Sequence, residues 1–257
     1  MKILKDLSIA ISFLTVVPVK IFSETNETIE CDVDLARDFS DSMIFFPFVG
    51  LLIGACLVLL NHLISYFELS LYLKNAMILL LWVFLTGGLH LDGFADSVDG
   101  FSGGSNQKSI IEIMKDGSIG AKGALALFFL LLFKFLLLVE INPIMKNSIL
   151  LFAPSLSRWN MIVVAFYGKP ASTKNSLGEK FMKYLGKKEM ILSTIIMVIP
   201  GILLFQLQFI ALLGLCIIIS WFLLIYCRKK IGGITGDILG ALNEIIELSC
   251  LFLICIY

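Results

Sequence analysis

The stretch 87–100 reads GGLHLDGFADSVDG and gathers three aspartates and a histidine at the end of an otherwise hydrocarbon run. Asp92, Asp96 and Asp99 are spaced i, i+4 and i+7, which places them on one face of a helix. Carboxylates on one stripe repel each other, more so near a low-dielectric bilayer, so the spacing predicts a neutralising cation. Hard oxygen donors select Mg²⁺ or Mn²⁺, and Mg²⁺ usually takes one or two protein carboxylates together with substrate phosphates. Gly93 and Gly100 leave room for a bulky phosphorylated ligand to approach the backbone. A lone aspartate here would be read as a solvated helix end; three in register with interleaved glycines favour a metal site. On a continuous helix His90 points about 160° away from the stripe, so packing elsewhere and substrate contact are equally open for it.

Two further clusters carry chemistry. In IEIMKDGSIGAKG (111–123), Lys115 and Asp116 precede a glycine-bearing turn that leads into an apolar run. Free amides at a helix N-terminus attract phosphate, with Lys115 or Lys122 adding charge. Asp116 is a candidate for a further metal ligand or a general base. In GGITGDILGALNEIIEL (232–248), Asp237 and Glu244 are i, i+7 and Glu247 lies one turn on, an acidic face inside an apolar span. Lys134 and Arg158 also fall within apolar runs. Snorkelling competes with a cavity role for Lys134. Near mid-span, Arg158 is expected to face a polar cavity and pair with a carboxylate or phosphate. Phosphoryl transfer needs mainly alignment and charge neutralisation, so these groups together describe a membrane enzyme of a phosphorylated or diphosphate substrate.

The elements that must position them follow from composition. The chain has 257 residues, 58% hydrophobic and 16% charged, with a mean hydropathy of +0.95. Soluble domains are about 45–50% apolar and about 25% charged. The excess needs lipid to cover it, which predicts an all-α, polytopic membrane protein forming a single domain over 1–257. Spanning helices need about 20 apolar residues. Candidate spans are 42–66, 75–91, 121–140, 148–167, 190–206, 208–227 and 237–257, about seven in all. The shorter segment 7–22, broken by Pro18, is read as interfacial or re-entrant.

Basic residues cluster in 168–189 (Lys169, Lys174, Lys180, Lys183, Lys187, Lys188) and in 228–236 (Arg228, Lys229, Lys230). By the positive-inside rule both connections are cytoplasmic, and counting spans back puts 92–120 and 19–41 on the same side. That places the acidic stretch on the cytoplasmic face of a cell (inner) membrane. KFMKYLGKKEM (180–190) reads as an anchor on anionic lipid or a docking surface for an anionic substrate. Net charge is zero, which gives no reason to expect nucleic acid. The six cysteines form no CxxC pair and read as small packing residues. No small-x-small site follows the first apolar stretch, so no removable signal peptide is expected.

TGGLHLDGFADSVDGF (86–101), EIMKDGSIG (112–120) and GGITGDILGALNEIIEL together resemble the cobalamin synthase family, the adenosylcobinamide-GDP ribazoletransferases. FFPFVGLLIG (45–54) and the Leu177-Gly178 pair fit the same pattern, in order along essentially the whole chain. The resemblance implies transfer of the cobinamide-phosphate group of adenosylcobinamide-GDP to the ribose of α-ribazole or its 5′-phosphate, releasing GMP, with Mg²⁺. It implies a metal on Asp92, Asp96 and Asp99, with Asp116 completing that site or accepting the ribose hydroxyl's proton. Lys115 and Arg158 would neutralise phosphate oxygens. Asp237, Glu244 and Glu247 would line the same cavity, with His90, Lys122 and Lys134 as further substrate contacts. Many relatives carry Ser-Arg after the second motif's aspartate, where this chain has Gly117-Ser118; if that arginine contacts phosphate, Lys115 or Lys122 must substitute or activity is weakened. The 103–107 segment lacks arginines often found there, and Ser176 replaces a glycine. Expected partners are the two substrates and membrane lipid, with homo-oligomerisation or association with other cobalamin-assembly enzymes left open.

Other readings of the aspartates are a prenyltransferase, a CDP-alcohol phosphotransferase and, from a different class, a divalent-cation transporter. DGFADSVDG only partly echoes the CDP-alcohol pattern, and a transporter has no need of phosphate-cradling glycine turns. The predicted orientation is directly testable. Cysteines placed at Ser102 and Ser176 should resist an impermeant thiol reagent added outside intact cells, and one at Asn142 should react; the reverse pattern overturns the charge-based orientation.

Overall fold

The computed structural model describes residues 2–19, 31–171 and 182–256. Of the predicted features, Lys174, Ser176, the Leu177-Gly178 pair, Lys180 and the last residues of 7–22 lie outside the described residues. The chain is helical, in the order α1 (Lys2–Leu14), α2 (Cys31–Ser42), a 3₁₀ turn (Met43–Phe45), α3 (Phe46–Ser65), α4 (Leu71–Thr86), α5 (Leu89–Gly103), α6 (Gln107–Met114), α7 (Ala121–Glu140), α8 (Pro143–Tyr167), α9 (Lys187–Phe205), α10 (Gln208–Ile231) and α11 (Gly236–Ile256). Six continuous helical stretches, 35–65 (which includes α3) and α7 to α11, are long and apolar enough to cross a membrane. The count is seven if α4 and α5 together make one.

Local chemistry sets the helix starts. Ser70 opens α4 by accepting the Leu73 N–H at 3.2 Å, and Asn142 opens α8 just before Pro143, which needs no donor at the first position. Asn106 and Ser109 form a reciprocal capping box on α6. The predicted run 121–140 coincides with α7. The predicted run 75–91 is not straight. Gly87 (φ 61°) and Gly88 (φ 71°) both take left-handed backbone, α4 stops at Thr86, and α5 leaves at 86°. The aspartates therefore ride on a separate helix turned away from the line of α4. α1 is 13 residues long, too short for the about 20 that a span needs, and ends before Pro18. Lys2–Asp41 (2.7 Å) and Lys5–Asp38 (2.6 Å) ion pairs hold it to α2.

α8 is the central post: 89% of its most apolar 18-residue window is buried, against 22% for α7 and α10. Gly50 and Gly54, one turn apart on α3, lie against the α8 backbone at Leu151 and Pro154, where any Cβ would collide. This small-xxx-small contact lets two helices meet without a hydrophobic driving force between them.

Three of the four connections predicted to share a side gather at one end of the bundle. Residues 169–171 pair with Ile234 through Ala171 N–H to Ile234 O (2.9 Å) and Ile234 N–H to Lys169 O (2.8 Å). Gln107 sits beside Gly232, and Phe101 packs on Tyr226 at 5.0 Å between ring centroids.

The bend gives a clean test of backbone strain. Nothing lies within 4 Å of a Cβ added at Gly88 or at Gly117, but only Gly88 has positive φ. Gly88→Ala should cost about 1–2 kcal/mol by left-handed strain alone, and Gly117→Ala close to nothing. Thermal melting of both variants in detergent checks this; equal melting points would remove the strained bend.

Candidate functional site

α5 and α11 approach unusually closely because glycines face each other's helix. A Cβ on Gly93 would fall 3.0 Å from Asp237 Cα, and one on Gly240 would fall 3.3 Å from His90 Cα. The contact brings Asp92 and Asp96 of α5 beside Asp237 in the first turn of α11, although they are far apart in sequence. Asp92 is exposed and the other two are half-buried. On α5, which lies outside the six long spans, burial and then the Asp92, Asp237 and Asp99 charges push the Asp96 carboxyl up to about 6. Lys115 acts electrostatically on Asp237 from the turn after α6, and Asp116 is exposed next to it.

Beneath this acidic edge lies a cavity of about 220 Å³. Asp92, Asp237 and His90 line one side, Phe13, Phe39, Met43, Phe46 and Met161 the other. The sequence reading missed this apolar wall, since nothing in the spacing of those residues separates them from other apolar positions in the chain.

Asp99 corrects an expectation. One of its oxygens accepts the Gly120 N–H and the other the Gly123 N–H, each at 2.8 Å. It caps the N-terminus of α7, so those amides are occupied by a carboxylate from the same chain instead of being free for phosphate. Gly120 and Gly123 are required for this approach, since a Cβ at either would strike the Asp99 carboxylate. Lys122 donates to Ser102 O at 2.8 Å, closing the same junction. Among the described residues, no three His, Cys, Asp or Glu side chains converge closely enough to hold a metal ion by themselves.

Lys134, Arg158, Glu244 and Glu247 correct another expectation. They form one sealed network and do not line the cavity. Lys134 Nζ donates to Glu244 Oε2 (2.5 Å) and Glu247 Oε2 (2.6 Å), and Arg158 Nη1 donates to Glu247 Oε1 (2.6 Å). Asn243 Nδ2 donates to Glu247 Oε1 at 3.1 Å, Arg158 Nη1 to Pro154 O at 3.0 Å, and Lys134 sits over the Trp82 ring. Arg158 is completely enclosed. Two positive and two negative charges cancel within the network, although Arg158 Nε and Nη2 are buried in it without a hydrogen-bond partner. His90 sits beside this network, 2% exposed, and its Nε2 has no partner.

Fold and site together define a polytopic helical membrane protein with a carboxylate-edged cavity at one end of its bundle. The family model for cobalamin-5-phosphate synthase matches residues 6–255, and the chain belongs to that family. It is 38% identical over 262 residues to an adenosylcobinamide-GDP ribazoletransferase of Thermodesulfovibrio yellowstonii, covering 96% of this chain and 94% of that one. It is 35% identical to the enzyme of that name from Caldanaerobacter subterraneus (96% of each chain) and 32% identical to that from Clostridium kluyveri (99% and 98%). No solved structure matches the chain.

Removing one member of the buried network strands the others. Arg158→Ala should destabilise the protein by about 3–5 kcal/mol, seen as a large drop in detergent melting temperature. An unchanged melting point with lost activity would return Arg158 to the substrate.

Proposed function

We propose that this chain transfers the cobinamide-phosphate group of adenosylcobinamide-GDP to a ribose hydroxyl of α-ribazole, or of its 5′-phosphate, and releases GMP. Membership of the family supports the reaction, and the relatives' printed activity supports the substrates. The single structural observation behind the reading is that Asp92 and Asp237, from two helices, line one cavity, with Asp96 and Lys115 within electrostatic reach of Asp237.

The donor set fits Mg²⁺ as a partner shared with substrate. Mg²⁺ usually takes one or two protein carboxylates and draws its remaining ligands from water and phosphates, so three converging side chains are not required. One or two of Asp92, Asp96 and Asp237 would hold it, Asp237 standing where the sequence suggested Asp99. When bound, Mg²⁺ neutralises charge on the diphosphate oxygens. Lys115 adds positive charge at the same edge. The ribose hydroxyl oxygen forms a bond to the phosphorus bearing cobinamide, the bond from that phosphorus to the GMP oxygen breaks, and GMP leaves with the electron pair. Asp116, beside Lys115, takes the hydroxyl proton. The basic connections at this end of the bundle support a cytoplasmic site in the cell membrane.

Asp92→Asn and Asp96→Asn should each lower kcat/KM by about a hundredfold or more while the protein stays inserted. GMP release by purified protein, with adenosylcobinamide-GDP and α-ribazole and with Mg²⁺ titrated from zero, checks both the substitutions and the metal requirement. Near-normal turnover of either variant at saturating Mg²⁺, or full activity in chelator, removes the metal assignment.

A further inference from the structure

We infer that the cavity beneath the acidic edge is the acceptor subsite, taking the flat aromatic base of the ribazole nucleoside against its phenylalanine wall and the attached ribose against His90. The inference rests on the ribazole-transfer reading above and assigns one of its two substrates to a place.

The wall comes from three separate elements. Phe13 of α1 meets Phe39 of α2 edge-on at 4.6 Å and stacks on Phe46 of α3 at 5.9 Å, with Met43 and Met161 beside them. Rings and thioethers are good partners for a planar, largely apolar heterocycle. Size narrows the occupant. Pockets that enclose drug-sized ligands run to about 300–1,000 Å³, so 220 Å³ takes one bicyclic base with part of a sugar and excludes a corrin macrocycle. Charge narrows it further. Asp92 and Asp237 repel an unneutralised phosphate from the interior, whereas an uncharged nucleoside enters without that cost.

An independent observation marks where the polar end of the occupant goes. His90 lines the cavity, is 98% enclosed, and has a ring Nε2 that no protein group satisfies. Buried polar atoms in native proteins almost always have a partner; Nε2 is itself closed to the cavity, so a ribose hydroxyl supplies one as the ring turns toward it. Gly236 has no atom within 4 Å of an added Cβ, so the sugar has open access to the first turn of α11, next to the carboxylates that would hold the diphosphate. The geometry thus separates the substrates: nucleoside inside, cobinamide diphosphate across the edge, reacting atoms meeting at Asp92 and Asp237.

The test uses the full chain in detergent, with wild type, Phe13→Ala, Phe13→Leu and His90→Gln. Phe13 is 37% exposed and on a short helix, so its truncation spares the core, and monodispersity on size exclusion confirms folding. Initial rates of GMP release are measured against each substrate separately, and α-ribazole binding alone by equilibrium dialysis. Phe13→Ala and His90→Gln should each raise the KM for α-ribazole about tenfold and weaken its binding to match, leaving the KM for adenosylcobinamide-GDP within about twofold. Phe13→Leu should fall between. Unchanged α-ribazole KM in active variants overturns the subsite, as it would if a lipid chain fills the cavity, while the transfer reading stands. A larger rise for adenosylcobinamide-GDP also overturns it. Wild type that binds α-ribazole through Phe13 but releases no GMP keeps the subsite and removes the transfer reading. Neither turnover nor binding removes both.

Discussion

Lys134, Arg158, Glu244 and Glu247 place four formal charges together inside a largely apolar bundle. A single charge of this kind is expensive in lipid, and a buried ion pair holds only when its geometry is good and its remaining groups are hydrogen-bonded. Glu247 meets that demand by accepting from Lys134 of α7 and from Arg158, Ser157 and Asn243 around it. Because α7, α8 and α11 must each present the right residue at one point, their registers are locked together. Sliding any of them by one turn would leave a charge unpaired. The network therefore fixes the height of α11, and with it the level at which Asp237 emerges at the helix start.

Close glycine contacts then convert that register into a site. Gly93 and Gly240 allow α5 and α11 to touch at the backbone, and Asp99 pins the far side of α5 to the start of α7. The Gly87-Gly88 bend is what frees α5 to lie across the end of the bundle. Each part serves the same outcome, which is an acidic edge standing where substrate can reach it and a small apolar cavity behind it. Carboxylates of one sequence motif thus divide their labour: Asp92 and Asp96 face outward with Asp237, and Asp99 turns inward as a cap.

That division suits a reaction joining two unlike molecules. In the proposed reaction a charged diphosphate would need cations and open access, which Lys115 and a metal on the aspartates would supply at the edge. A neutral aromatic nucleoside needs apolar contact and a few hydrogen bonds, which the interior offers through Phe13, Phe46 and His90. Placing the two environments side by side aligns the partners without requiring any charged residue of the buried network to move.

By itself the sequence determined the lipid environment, the helical class, most span positions and the aspartate stripe, because hydropathy and helical period are properties of consecutive residues. Periodicity located α7 and nearly located α11. It could not show that two successive glycines would break the run 75–91, since glycine within an apolar helix is permitted and only packing decides whether it bends. Nor could it separate Glu244 and Glu247 from Asp237, which share one broad face of α11. Whether a carboxylate meets a lysine, a helix end or a cavity depends on residues well outside its own helix, up to the 110 positions that separate Lys134 and Glu244. Partner choice for a buried charge is a matter of tertiary contact, because the energy that decides it falls off over a few ångströms in space and takes no account of distance along the chain.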